Sequence, residues 1–183
     1  SWGDLDLDTD LDLVLANGAI PVTDLAGDAE LVQAFANLAA PGSPTRLEDV
    51  GAAAGLTEVG PLLARGSAAA DFDNDGDLDI AVATVGGPLS LLENRAATGN
   101  WLEVELDGFH AGAVITASLP DGRELTRQLQ AGSSYLSSED PRGHFGLGEA
   151  SEVVELVVTW PDGEVTTVAD VAANQIVVVE PPE

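Results

Sequence analysis

The segment Asp71-Phe72-Asp73-Asn74-Asp75-Gly76-Asp77-Leu78-Asp79 sets a carboxylate at every second position. Acids at relative positions 1, 3, 5 and 9 of a loop, with a flexible residue at 6, can wrap oxygen atoms around one hard cation. The expected ligands of a Ca²⁺ ion are the side chains of Asp71, Asp73, Asp75 and Asp79, with Asp77 offering its main-chain carbonyl. Gly76 permits the reversal between the two halves of the shell. Without a cation, carboxylates gathered this closely repel one another and raise each other's pKa.

A second copy lies near the start of the chain, where Asp4, Asp6, Asp8 and Asp12 repeat the spacing and Asp10 takes the carbonyl position. Thr9 stands where the other loop has Gly76, and a β-branched residue is strained at positive φ. Neither loop is an EF-hand: Leu15 and Val82 occupy the position of the closing Glu, and strand-like residues follow in place of an exiting helix. Gathering separated carboxylates into one geometry couples ion binding to local folding, so the metal reads as structural.

Other chemistry is sparse. The chain has no Cys, which removes disulfides, thiol catalysis and thiolate metal sites. His110 and His144 are its two histidines, and no HExxH, GxSxG or Walker pattern occurs. Ser133, Ser134, Ser137 and Ser138 lie near Tyr135 and His144, which leaves a hydrolase as the remote alternative. A carbohydrate-binding module is the nearer one, although Trp2, Trp101 and Trp160 read first as core anchors. Against 32 Asp and Glu stand 6 cationic residues, all Arg, for a net charge of -26. That balance excludes a nucleic-acid partner and repels an anionic membrane. No apolar run reaches the roughly 20 residues of a membrane-spanning helix. Glu48, Asp49, Glu139, Asp140 and Glu155 read as solubilising surface. Met is absent even at position 1, so the chain reads as a processed product or a portion of a longer one.

The elements that must position the loops fall into two groups. The two acidic segments, 67 residues apart, each run into an apolar strand and form an internal repeat. The spacing exceeds the ~40–50 residues of a propeller blade, which predicts an insertion at about 19–65. Within it, Leu31, Phe35 and Leu38 behind Asp28 predict a short helix over Asp28 to Ala40, ended by Pro41, Gly42 and Pro44, and the following AAAGL reads as a small-residue packing segment or a turn. A domain boundary is expected across Ala96 to Asn100. From Trp101 onward the period is two, with strands predicted at 101–106, 113–119, 124–130, 153–160 and 175–180 around Asp-Gly turns. In the first of these, Glu103 and Glu105 form a polar face opposite Leu102, Val104 and Leu106. Without a crossover helix, two packed sheets are expected rather than a parallel one.

The two aspartate loops resemble the calcium loops of FG-GAP/VCBS β-propeller repeats. The second half resembles the ASPIC/UnbV domain that follows such repeats in the cartilage acidic protein family. The supporting segments are Asn100-Trp101-Leu102, Gly112-Ala113-Val114, GSSYLS at 132–137, HFGLG at 144–148, Trp160-Pro161-Asp162-Gly163 and Asn174-Gln175. The resemblance implies a mainly β chain, with partial propeller-like repeats over 1–95 and a β-sandwich-like domain over 100–183. It implies no catalysis, a secreted or cell-surface location, and Ca²⁺ at Asp71, Asp73, Asp75, Asp77 and Asp79 and at Asp4, Asp6, Asp8, Asp10 and Asp12. Its better-known members act in adhesion or matrix assembly, so the expected partners are other extracellular proteins or copies of the chain, as in a surface fibre, with a glycan as the alternative. A closed propeller needs at least four blades. Two repeats therefore require further sequence, neighbouring chains, or direct packing on the second half.

Overall fold

A computed structural model describes residues 1–39, 43–95 and 97–182. The chain is mainly β. In the first half, β1 (Trp2–Gly3), β2 (Asp12–Leu15), β3 (Gln33–Asn37) and β4 (Leu47–Asp49) pair in that order as an antiparallel sheet. A four-residue helix, α1 (Leu56–Val59), leads to a second antiparallel sheet of β5 (Ala64–Ala70), β6 (Asp79–Thr84) and β7 (Ser90–Leu92). In each sheet an aspartate loop joins the first strand to the second. Val14, Val32 and Ala34 pack with Ala69, Ile80 and Val82 in one small core shared by the two sheets.

The predicted helix over 28–40 is a strand instead. Its proposed apolar face would have carried Leu31 and Leu38, which are 41% and 45% exposed, whereas Val32 and Ala34 alternate into the core. Pairing with β2, Leu13 opposite Phe35, supplies the partners that a helix would have supplied internally. Asp28 accepts from the backbone of Thr23 and Asp24, closing a turn rather than capping a helix. Ala40, Pro41, Gly42 and Ala96, on which parts of the helix-end and boundary expectations fall, lie outside the described residues.

The second half holds β8 (Asn100–Leu106), β9 (Val114–Ser118), β10 (Glu124–Gln128), β11 (Gly143–Gly148), β12 (Glu152–Thr159), β13 (Val165–Ala172) and β14 (Gln175–Val179). All five predicted strands are present, with ends shifted by up to two residues; β11 and β13 were not anticipated. One sheet runs β10-β9-β12-β13 and the other β11-β8-β14. Leu102, Val104, Phe145 and Leu147 of the three-stranded sheet pack against Ile115, Leu156 and Val158 of the four-stranded one in a single core. β14 joins β8 in parallel, a pairing that departs from the expectation against parallel strands drawn from the lack of a crossover helix. The chain between these two strands includes the β9–β10 hairpin and β11–β13, and so makes the crossover without a helix.

Candidate metal centres and the seam that holds them

The two aspartate loops adopt the same backbone. Leu7 and Thr9 have φ of 63° and 89°, and their counterparts Asn74 and Gly76 have 60° and 99°. Asp4 accepts hydrogen bonds from the amides of Asp8 and Thr9 at 3.0 and 2.9 Å, as Asp71 does from Asp75 and Gly76 at 3.1 and 2.9 Å. Asp8 accepts from Asp10, and Asp75 from Asp77. Asp12 bridges the amides of Leu5 and Asn37, and Asp79 those of Phe72 and Asn94, so each loop is tied to the strand beyond it. Thr9 does take the left-handed conformation expected of a glycine.

Carboxylate oxygens of Asp4, Asp6 and Asp8 lie within 4.8 Å of one another, as do those of Asp71, Asp73 and Asp75. Three hard oxygen donors in such a cluster suit Ca²⁺, which takes six to eight oxygens in flexible geometry. The first ligand of each loop is buried, Asp4 and Asp71 being 1% exposed, and the other two face solvent. Burial pushes Asp4 up to about 7, partly offset by the positive charge of Arg127. Burial also raises Asp12 to about 6. Burial and the neighbouring Asp75 raise Asp77 to about 6. Asp6, Asp10, Asp71 and Asp79 are raised as well, burial again coming first. Charged oxygens held together and away from water are costly until a cation balances them. Asp10, Asp12, Asp77 and Asp79 stand outside the three-oxygen clusters, and Asp12 and Asp79 already accept main-chain bonds at both oxygens.

Both loops rest on β11. Its Phe145 and Leu147 point into the core, and the intervening residues meet the loops. His144 Nε2 donates to the Gly76 carbonyl at 2.8 Å, and the Gly148 amide donates to the Leu7 carbonyl at 2.9 Å. A Cβ at Gly146 would fall 2.1 Å from Asp4 Oδ2 and 2.7 Å from Leu7 Cα, so only glycine allows this approach. Burial lowers His144 to about 4, which keeps its ring neutral.

Three of the six arginines serve the same seam. Arg142 donates to the Asp71 carbonyl at 2.6 Å and to Asn74 Oδ1 at 2.8 Å, holds Asp140, and ion-pairs with Glu103 at 2.5 Å. Arg123 donates to Thr9 Oγ1 at 2.5 Å. Arg127 donates to the His144 carbonyl, with its guanidinium carbon 5.2 Å from the Phe145 ring centroid. Glu103, placed by its alternation on the polar face of β8, is wholly buried, and Trp101 on the same face lies against Gly76 of the first half. Glu139 and Asp140, read as solubilising, are structural: Glu139 accepts from the Ala69 amide and Asp140 orients Arg142. Their legible signal was the scarcity of cations, since an arginine beside the HFGLG segment has few alternative roles in so acidic a chain. The serines at 133, 134, 137 and 138 make no hydrogen bond to His144 among the described residues, and Ser134 and Ser137 bridge to each other.

Residues 94–183 match the family model described as ASPIC and UnbV. This segment is an ASPIC and UnbV domain. It begins just before β8 and holds the whole second core, β11 and the seam residues Glu103, Arg123, Arg127 and Arg142. The chain is 36% identical over 110 residues to cartilage acidic protein 1 of Xenopus tropicalis, and 34% identical to the proteins of that name from Mus musculus and Homo sapiens. These alignments cover 56% of the chain but only 16–17% of the relatives, so the chain spans about a sixth of the length of the curated relatives it matches. No helix among the described residues is long and apolar enough to cross a membrane.

The ASPIC and UnbV domain also explains why one loop has glycine and the other threonine. A Cβ at Gly76 would lie 2.0 Å from Trp101 Nε1, whereas Thr9 faces Gly148. Gly76→Ala is therefore expected to cost ~2–3 kcal/mol through steric overlap and positive φ. Calcium calorimetry should show weakened binding at loop 71–79 with loop 4–12 unchanged; equal binding at both loops would refute the contact's importance.

Proposed function

We propose that the chain is a non-enzymatic, extracellular calcium-binding structural or adhesion module. Loops 4–12 and 71–79 each take one Ca²⁺, and the ASPIC and UnbV domain locks them in place. The observation that carries this reading is the shared scaffold: two segments 67 residues apart reproduce the same φ pattern, the same hydrogen bonds and the same three converging carboxylates. Asp4, Asp6 and Asp8, and Asp71, Asp73 and Asp75, supply side-chain oxygens. Asp10 and Asp77 contribute main-chain carbonyls, and Asp12 and Asp79 complete each site while bracing it. When bound, the ion supplies positive charge that lets these carboxylates stay ionised together.

The likeness to cartilage acidic protein 1 supports a secreted or cell-surface setting. In this reading residues 1–95 are two FG-GAP/VCBS repeats of propeller type and residues 100–183 are the adjoining domain. The partners are other extracellular proteins or further copies of the chain, assembled as a matrix or fibre. Association at a charge of -26 would draw on calcium at the interface.

Titration calorimetry with Ca²⁺ and Mg²⁺ tests the reading. Two calcium sites are expected, and Asp73→Asn should delete one and spare the other, weakening that loop by about 100-fold or ~2.7 kcal/mol. An absence of calcium heats, or loss of both sites on this single exchange, refutes it.

A further inference from the structure

A cavity of about 340 Å³ lies on the seam between the two halves, lined from the first half by Trp2 and Leu78 and from the second by Glu103, Arg127, Glu139 and His144. Its volume falls within the ~300–1,000 Å³ of small-molecule sites. Among the described residues, every buried side-chain polar atom without a hydrogen-bond partner belongs to these last four residues, and all four line this one cavity. Folded proteins leave few such atoms, so a cluster contributed by β8, β10, β11 and the segment before β11 points to a common missing partner.

The partner's chemistry follows from what each atom can do. Glu103 Oε1 and Glu139 Oε1 accept. Because a carbonyl can only accept, His144 Nε2 must carry the proton it gives to Gly76, which leaves Nδ1 as a third acceptor. Arg127 Nη2 is a donor. An anion would meet two carboxylates, and an organic cation would meet Arg127. A neutral ligand bearing several hydroxyls donates to the three acceptors and accepts from the guanidinium without opposing any charge. Trp2, 53% exposed, adds a ring at the cavity's edge, and Leu78 and Leu129 add apolar wall. Carboxylate and guanidinium forks for hydroxyls beside an aromatic ring suit the two polar edges and apolar faces of a pyranose.

We propose that this interdomain cavity binds a single sugar ring, with Glu103, Glu139, His144 and Arg127 bonding its hydroxyls and Trp2 packing on its face. The test is saturation-transfer NMR on the whole chain in calcium, using D-glucose, D-galactose, D-mannose, L-fucose and N-acetyl-D-glucosamine, with glycerol as a ringless polyol. At least one sugar should show transfer to its ring protons and glycerol none. Trp2→Ala and Glu139→Gln should each weaken that sugar about tenfold or more, ~1.4 kcal/mol or above, while the folded chain keeps its two-site calcium isotherm. Glu139→Gln replaces the free acceptor with a donor while leaving an oxygen for the Ala69 amide. No transfer from any sugar, transfer equal to that of glycerol, or affinity indifferent to both exchanges overturns the proposal and leaves a water-filled cavity. A normal two-site calcium isotherm beside such a failure would sink the sugar site alone.

Discussion

Arg142→Met is expected to destabilise the protein by ~3–5 kcal/mol, because it strands a carboxylate in the interior. Glu103 is fully buried, and burial raises it to about 7 even with the Arg142 guanidinium at 2.5 Å. Removing that charge leaves burial and the neighbouring Asp71 and Asp140 carboxylates, all of which oppose ionisation. The loss should grow as pH rises through about 7, where the parent's Glu103 ionises against Arg142 and the variant's charge would stand unpaired, and level off below it, where Glu103 holds its proton in both. Adding Glu103→Gln to the variant should recover part of the loss, since a neutral amide costs less to bury than an unpaired charge. Arg142 also holds the Asp71 carbonyl and Asn74, so calcium at loop 71–79 should weaken while loop 4–12 keeps its affinity. Urea unfolding at two pH values measures the first effect and calorimetry the second. A variant within ~1 kcal/mol of the parent, the median worth of an exposed pair, would show that Glu103 and Arg142 are not the linchpin of the seam.

Stripping calcium should both destabilise the protein and reverse the sign of its pH dependence. An ion present at ~1,000 times its dissociation constant contributes ~4 kcal/mol per site. In the metal-free protein Asp4, Asp12, Asp77 and Glu103 have folded values raised to between about 6 and about 7. Between roughly pH 4 and 7 these groups hold protons in the folded state that they release on unfolding, so stability falls as pH rises. His144, lowered to about 4, acts in the opposite sense: its unfolded form is protonated below about 6.5 and its folded form is not, so its contribution grows with pH. Four carboxyls outweigh one imidazole, and the metal-free midpoint should drop from about pH 5 to about pH 7. With calcium the ligands must be deprotonated, binding tightens as pH rises, and the midpoint should climb over the same interval. Thermal melts across that interval, in chelator and in excess calcium, make the comparison. Parallel slopes in the two conditions would show that the loop carboxylates are not the groups the ion neutralises.

The assignments legible from sequence share one property: the atoms that matter are close along the chain. The nine residues from Asp71 to Asp79, and those from Asp4 to Asp12, contain the donors that converge, the turn that brings them together and the start of the strand that follows. Period-two alternation likewise marked the strands carrying Leu102, Ile115, Leu125, Leu156 and Val177, because a strand's two faces are set by its own backbone. Where alternation was weak, as in the glycine-rich β11, the strand went unseen.

Tertiary structure decided everything that depends on what covers a face. The apolar residues of 28–40 fit a helical period, and pairing with β2 made them a strand. Glu103 alternated correctly as the polar side of β8, yet a second layer seals it from water. Arg142 reaches loop 71–79 across some 70 residues of chain, and His144 meets Gly76 from 68 away. The cavity belongs to neither half alone. Burial, and with it the worth of every charge at the seam, is a property of the packed assembly of both halves, and no local spacing encodes it.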